Sequence, residues 1–225
     1  MVSEYALWQY VHIVLFVYWL GADLGVFMAS RYVARADLSL AERLRFLELT
    51  LRIDIGPRTA LILMVPVGST LAVNLGVVPW LSGWLWLVWI LALAWLALAW
   101  WCFAHARDPR AKPFVQLDTW IRWCVATIFI GLGAAAFARE GLIEARWLAA
   151  KFIAFGGAVV LGVLLRSVIR DWVTGFAQLR APATEAAGNQ LIDSAHHRAT
   201  RLALLLWLLV ALTAFFGVTK PALGW

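Results

Sequence analysis

Two ionisable side chains stand inside apolar stretches of the sequence, and they are its first candidates for chemistry. His12 lies in the first apolar stretch and Lys151 in a later one. With a helical rise of about 1.5 Å per residue, we expect His12 about 10 Å and Lys151 about 9 Å below the same membrane face. Ionisable groups inside a bilayer are costly and are functional candidates by default. Two interpretations of Lys151 stay open: it faces His12, or it reaches the headgroups near its helix end.

The residues that follow His12 add further candidates on the same side of a helix. His12, Trp19 and Asp23 are separated by seven and four residues, which puts them on one helix face. Gly21 and Gly25 form a pair of small residues that lets another helix or a flat ligand come close. His12 is a candidate ligand for a metal, above all for haem iron. The alternative is a histidine that forms a hydrogen bond within a helix bundle.

The composition indicates an integral membrane protein. Of the 225 residues, 64% are hydrophobic and 14% are charged, whereas soluble domains carry about 25% charged residues. The apolar runs are long and continuous, so the spans are helices rather than the short alternating strands of a barrel. We therefore predict an all-α, polytopic bundle that forms a single integral membrane domain over residues 1–225. Its six predicted spans are 5–28, 57–78, 81–103, 119–137, 145–167 and 202–218.

The basic residues predict an orientation for these spans. Most of the 19 lysine and arginine residues lie in the loops that follow the first, third and fifth spans. The positive-inside rule places those loops in the cytoplasm, so both termini lie on the periplasmic side of a bacterial-type inner (plasma) membrane. The net charge of +6 then reflects cytoplasmic loops, and we expect a lipid bilayer rather than nucleic acid as the partner.

Two cytoplasmic segments are predicted to be helical without spanning the membrane. Residues 170–201 are expected to form a helix–loop–helix. Residues 38–54 are expected to form an amphipathic helix on the membrane surface, and Pro57 to occupy the first helical position of the second span. The leucines of the amphipathic segment recur at helical spacing, at Leu40, Leu44, Leu47 and Leu51.

Charged and soft side chains gather near the cytoplasmic ends of the spans. Asp54 and Arg58 are four residues apart and are predicted to pair, with Arg52 beside them and Asp23 close enough to join. A structural ion-pair network is favoured there over a proton route. The nearby thiols and imidazole match no standard spacing of metal ligands; they belong to Cys102, Cys124 and His105.

The predicted third span is rich in tryptophan and is a candidate interface. Seven of the 15 tryptophans lie between Trp80 and Trp101, and those at the span ends suit the aromatic belts of a membrane. Trp89 and Trp95 fall in the middle of the span. They either face lipid or contact a partner subunit, a pigment or a quinone. We therefore expect a homo-oligomer, or partner membrane subunits, to assemble on the third helix.

Three short motifs stand out in the sequence: His12-x6-Trp19-x-Gly21 in the first span, Glu42-Arg43-x-Arg45-Phe46 before Pro57, and Trp147-Leu148-Ala149-Ala150-Lys151. They resemble motifs of the copper-resistance protein D family and of the related HemJ-type protoporphyrinogen oxidases. The resemblance covers about half of the chain. It implies a bundle with a haem b pocket in which His12 binds the haem and Lys151 is its essential, catalytic partner.

A haem would need room and a cationic rim. Gly131 and Gly133 give the fourth span a surface of small residues against which a macrocycle could lie, with close helix packing as the alternative. Arg139 and Arg146 are placed to hold propionates, or they pair with neighbouring glutamates. No second histidine lies in a span, so the haem would be five-coordinate or would take Lys151 or an external ligand.

Three functions follow as hypotheses. The first is a haem-b-binding membrane protein, with a redox activity of the HemJ type implied by the resemblance. The second is a non-catalytic subunit of a larger respiratory or photosynthetic membrane complex. The third is a small transporter for copper or a metabolite.

Overall fold

The structure is a computed structural model that describes residues 3–222. These residues form six helices long and apolar enough to cross a membrane, and no strand, which confirms the predicted all-α bundle. Short 3-10 segments occupy three turns, at Pro79–Trp84, Pro109–Ala111 and Pro182–Thr184. The helices are α1 (Glu4–Ala34), α2 (Leu40–Asn74), α3 (Leu85–Ala104), α4 (Lys112–Ala138), α5 (Arg146–Gln178) and α6 (Glu185–Thr219).

Four of the helices are longer than a membrane requires. α1, α2, α5 and α6 contain 31, 35, 33 and 35 residues. They extend about 46 to 53 Å, whereas the hydrocarbon core of a bilayer is about 30 Å thick. We call the end of the bundle that holds the arginine-rich turns α1–α2, α3–α4 and α5–α6 the basic end, and the opposite end the terminal end. The extra length lies at the basic end, where Val33, Leu47, Trp172 and Ile192 form a second core.

The course of α2 corrects two predictions. Ser39 and Glu42 form a capping box that starts the helix, in which the Glu42 carboxylate accepts from Ser39 N at 2.9 Å. α2 then continues through Pro57 without a break. Residues 38–54 are therefore not a separate helix on the membrane surface, and Pro57 does not begin a helix. The leucine stripe packs against α5 and α6 instead, because Leu47 belongs to their shared core.

The prediction for residues 170–201 is confirmed as a helix–turn–helix, although both of its helices continue from spans. The extension is tied together by Arg43, which is 3% exposed. Arg43 Nε donates to the Val33 carbonyl at 2.9 Å, and Nη1 donates to Asn189 Oδ1 at 2.7 Å. This one side chain therefore links the start of α2 to α1 and α6.

The helices form a closed ring. Each helix packs against its neighbours in sequence, and α6 returns to α1. All six helices contribute to one apolar core at the centre of the ring. Its members include Trp19, Ile62, Trp95, Ala126, Val159 and Leu206.

Close packing between α4 and α5 depends on two glycines. A Cβ at Gly133 would lie 2.6 Å from the Ala149 carbonyl oxygen, and one at Gly156 would lie 2.9 Å from the Ala126 carbonyl oxygen. Gly131, by contrast, has nothing within 4 Å of its Cβ position. The prediction that Gly131 and Gly133 form one surface for a macrocycle is therefore wrong. Gly133 is covered by α5, and Gly131 points away from the bundle.

The two glycines of α4 give a matched pair of variants. We expect Gly133→Ala to destabilise the protein by about 1–3 kcal/mol, because a backbone carbonyl must move to admit the methyl group. Gly131→Ala should leave the protein unchanged or up to about 1 kcal/mol more stable, because alanine favours helices over glycine. Unfolding of both variants in mixed detergent micelles, followed by circular dichroism, measures the difference. Equal stability of the two variants would show that α4 and α5 do not meet at Gly133.

Candidate functional site

His12 lies inside the ring, between α1 and α2. Its ring packs directly against the backbone of α2, because a Cβ on Gly68 would lie 3.4 Å from His12 Cε1. The Nδ1 atom is buried and has no hydrogen-bond partner among residues 3–222. Buried polar groups in folded proteins are nearly always paired, so an orphaned imidazole nitrogen marks a position that is suited to a ligand.

Lys151 shares this part of the bundle. Its Nζ lies against α6, where a Cβ on Gly217 would come within 2.8 Å. In the described part of the chain, Lys151 forms no hydrogen bond and no ion pair, and its charge lies within electrostatic reach of His12. The structure thus brings together the two side chains whose depths were predicted to match. Four helices, α1, α2, α5 and α6, surround the pair.

The other predicted members of this site are dispersed. Trp19 is buried and packs edge-on against Phe155, 6.1 Å between ring centroids, so it does point inward. Gly21 faces outward, with nothing within 4 Å of its Cβ position. Arg139 is exposed in the turn after α4, and Arg146 lines a separate open cavity at the terminal end. These arginines do not contact His12, because they belong to the rim of the bundle.

A charged network that sequence reasoning missed lies further toward the basic end. Asp118 on α4 accepts hydrogen bonds from Trp95 Nε1 at 2.7 Å, from Arg122 Nε at 3.2 Å and from Arg166 Nη2. Arg166 also donates to Thr119 Oγ1 at 2.6 Å. One buried carboxylate thereby joins α3, α4 and α5. The signal in the sequence was the spacing of Asp118 and Arg122, which repeats the four-residue interval of Asp54 and Arg58.

The central tryptophans of α3 point inward. Trp95 is 5% exposed and reaches Asp118. Trp89 Nε1 donates to Thr70 Oγ1 at 3.1 Å, and its ring lies 5.5 Å from that of Trp8. The interpretation that Trp95 faces lipid or a partner is therefore wrong, whereas Trp89 is partly exposed. Each indole N–H finds an oxygen inside the bundle, as a polar group at this depth requires.

A cavity of about 70 Å³ lies beside the Asp118 network. The predicted pair of Asp54 and Arg58 forms and lines it, whereas Arg52 pairs with Glu48 at 2.8 Å outside it. Asp23 also lines the cavity, and it accepts a hydrogen bond from Trp207 Nε1 at 2.7 Å. Five charged side chains therefore line one cavity in the ring: Asp23, Asp54, Arg58, Arg122 and Arg166.

Residues 3–222 contain no group of three or more histidine, cysteine or acidic side chains arranged to hold a metal ion. Cys102 and Cys124 are free thiols. His105 Nδ1 lies 2.9 Å from the Trp101 carbonyl oxygen, and its ring stacks on Trp101. The thiols and the imidazole near the basic end therefore do not form a shared metal site in this arrangement.

Comparison of the chain with models of protein families, with curated proteins and with solved structures finds no match. The resemblance to the copper-resistance D and HemJ-type families consequently stays a prediction. Arguments about function rest on the geometry of two polar regions, His12 with Lys151 and the charged cavity.

Proposed function

We propose that this chain is an integral membrane redox protein that binds haem b between α1 and α5. His12 is the axial ligand and Lys151 is the catalytic residue that faces the group. The observation that carries the proposal is the buried Nδ1 of His12, which has no partner among the described residues, together with the equally unpaired ammonium of Lys151 nearby. An unpaired imidazole and an unpaired ammonium inside a bilayer are both costly unless a ligand satisfies them.

The residues fit haem b at its axial ligand. A neutral imidazole is a common ligand of haem iron, and glycine next to His12 and Lys151 leaves bare backbone beside each side chain. The surface of small residues predicted on α4 cannot hold the macrocycle, because α5 covers it at Gly133. The macrocycle would have to contact the elements that surround His12. When bound, haem iron supplies one-electron transfer, while Lys151 contributes a fixed positive charge.

An absorption spectrum of the purified protein tests the proposal. We expect a Soret band that is lost in His12→Ala and retained in His105→Ala, because His105 lies in the turn at the basic end, where its imidazole stacks on Trp101. Adding imidazole to His12→Gly should restore the band if the remaining pocket is intact. Lys151→Met should retain the band and lower the reduction potential, since a nearby positive charge favours the reduced iron.

Two results would contradict this function. One is a folded, monodisperse protein from haem-replete cells that shows no Soret band. The other is a band of full intensity in His12→Ala, which would place the haem elsewhere.

The arginine-rich turns support the predicted orientation, with the basic end in the cytoplasm of a bacterial-type cell and both chain ends on the periplasmic side. We expect a membrane-impermeant maleimide to label Glu140→Cys in intact spheroplasts and to leave Asp37→Cys unlabelled, both in a background with Cys102→Ser and Cys124→Ser. Asp37 lies in the turn between α1 and α2, and Glu140 in the turn after α4. The reverse pattern would invert the topology.

A second candidate function is that of a subunit in a larger membrane assembly. It is favoured by α3, which packs mainly on its ring neighbours α2 and α4 and leaves tryptophan on its outer face. Of its tryptophans, Trp86 is 60% exposed. We propose α3 as the surface that a second copy or a partner subunit covers, to be tested by the molar mass in mild detergent. No arrangement of the described residues favours copper transport.

A further inference from the structure

Asp23 differs from the other carboxylates that meet at the charged cavity. Asp54 pairs with Arg58, and Asp118 pairs with Arg122 and Arg166. Asp23 forms no ion pair within residues 3–222, although it is only 9% exposed. Its one hydrogen bond comes from an uncharged donor, the indole of Trp207, at 2.7 Å to Oδ2.

This environment favours the neutral form of Asp23. An ionised carboxylate taken out of water costs several kcal/mol unless a cation compensates it. A single hydrogen bond to a charged group returns only about 1.5–3 kcal/mol. The neutral acid keeps the bond from Trp207 at Oδ2, and it gains an O–H that Oδ1 can donate to water in the cavity.

The cavity connects Asp23 to one side of the bundle. Its volume of about 70 Å³ has room for several water molecules, because one water needs roughly 10–15 Å³ on this measure. It is open at Asp54 and Arg58, whose side chains are 21% and 29% exposed. It is closed toward the middle of the ring by Trp19 and Leu61, at 4% and 5% exposure.

We propose that Asp23 is a proton-binding site that exchanges its proton with the basic end through the cavity. A proton from the water chain forms an O–H bond at Oδ1, and the carboxylate becomes neutral. The groups around the site are Asp54 and Arg58 on α2, Arg122 on α4, Arg166 on α5 and Trp207 on α6. The three arginines around the site are already bound to other carboxylates, Arg58 to Asp54 and both Arg122 and Arg166 to Asp118, so none of them pairs with Asp23. Trp19 lies between Asp23 and His12 on the same face of α1 and separates the two sites.

Infrared spectroscopy of the protein in lipid nanodiscs tests this proposal without reference to haem. We expect the carbonyl band of a protonated carboxylic acid that grows as the pH is lowered from mildly basic to mildly acidic, with a shift in D₂O. The band should vanish in Asp23→Asn, which keeps the size of the side chain. It should persist in Asp171→Asn, a control outside the cavity whose carboxylate is paired with Arg198.

A second variant keeps the test decisive if Asp23→Asn does not fold. Trp207→Phe removes the one hydrogen bond that Asp23 accepts among residues 3–222, so the acid band should remain and move to higher frequency. The proposal is overturned by the absence of an acid band over this pH range, by a band that survives Asp23→Asn, or by an unmoved band in Trp207→Phe. A band that appears only when sodium and potassium are replaced by choline would show that a metal cation occupies Asp23, and would also overturn it.

Discussion

The carboxylate of Asp118 is the interaction on which the arrangement of α3, α4 and α5 depends. It lies inside a bundle of apolar helices, where neither lipid nor apolar side chains can stabilise a charge. Its partners come from three helices: Trp95, Arg122 and Arg166. Because each partner is itself buried or nearly so, no member of the network can turn away to solvent without leaving another uncompensated. The helices that carry them are therefore held in one register.

The same cost of burying an unpaired charge makes the groups that lack partners candidates for a function. A chain that had only to span a membrane would pair or exclude every charge, as the Asp118 network does. His12 and Lys151 in one half of the ring, and Asp23 in the other, remain without an ionic partner among the described residues. Trp19 lies between the two regions on the same face of α1. In our proposals these groups form a ligand site and a proton site in series along the interior of the ring.

The six spans could be predicted from the sequence because apolar runs of membrane length leave few alternatives. The start of the second helix could not, because Pro57 is typical of a helix start, whereas α2 begins at Leu40 and continues through Pro57. The inward direction of Trp95 was missed because α3 is apolar on all sides, so its pattern does not distinguish a buried face from a lipid-facing one. Likewise, the sequence around Gly131 and Gly133 does not show that only Gly133 faces α5. The pair of His12 and Lys151 was predictable because depth along a helix follows directly from residue count.

A double-mutant cycle between Asp118 and Arg166 measures the central interaction most directly. The free energy of unfolding would be compared in mixed micelles for Asp118→Leu, Arg166→Met, the double variant and the unaltered protein. We expect each single change to cost about 3–5 kcal/mol, because it leaves a buried charge unpaired. The double change should cost less than the sum by about 1–3 kcal/mol, the coupling typical of residues in one network. Additive losses would contradict the claim that this ion pair holds α4 and α5 together.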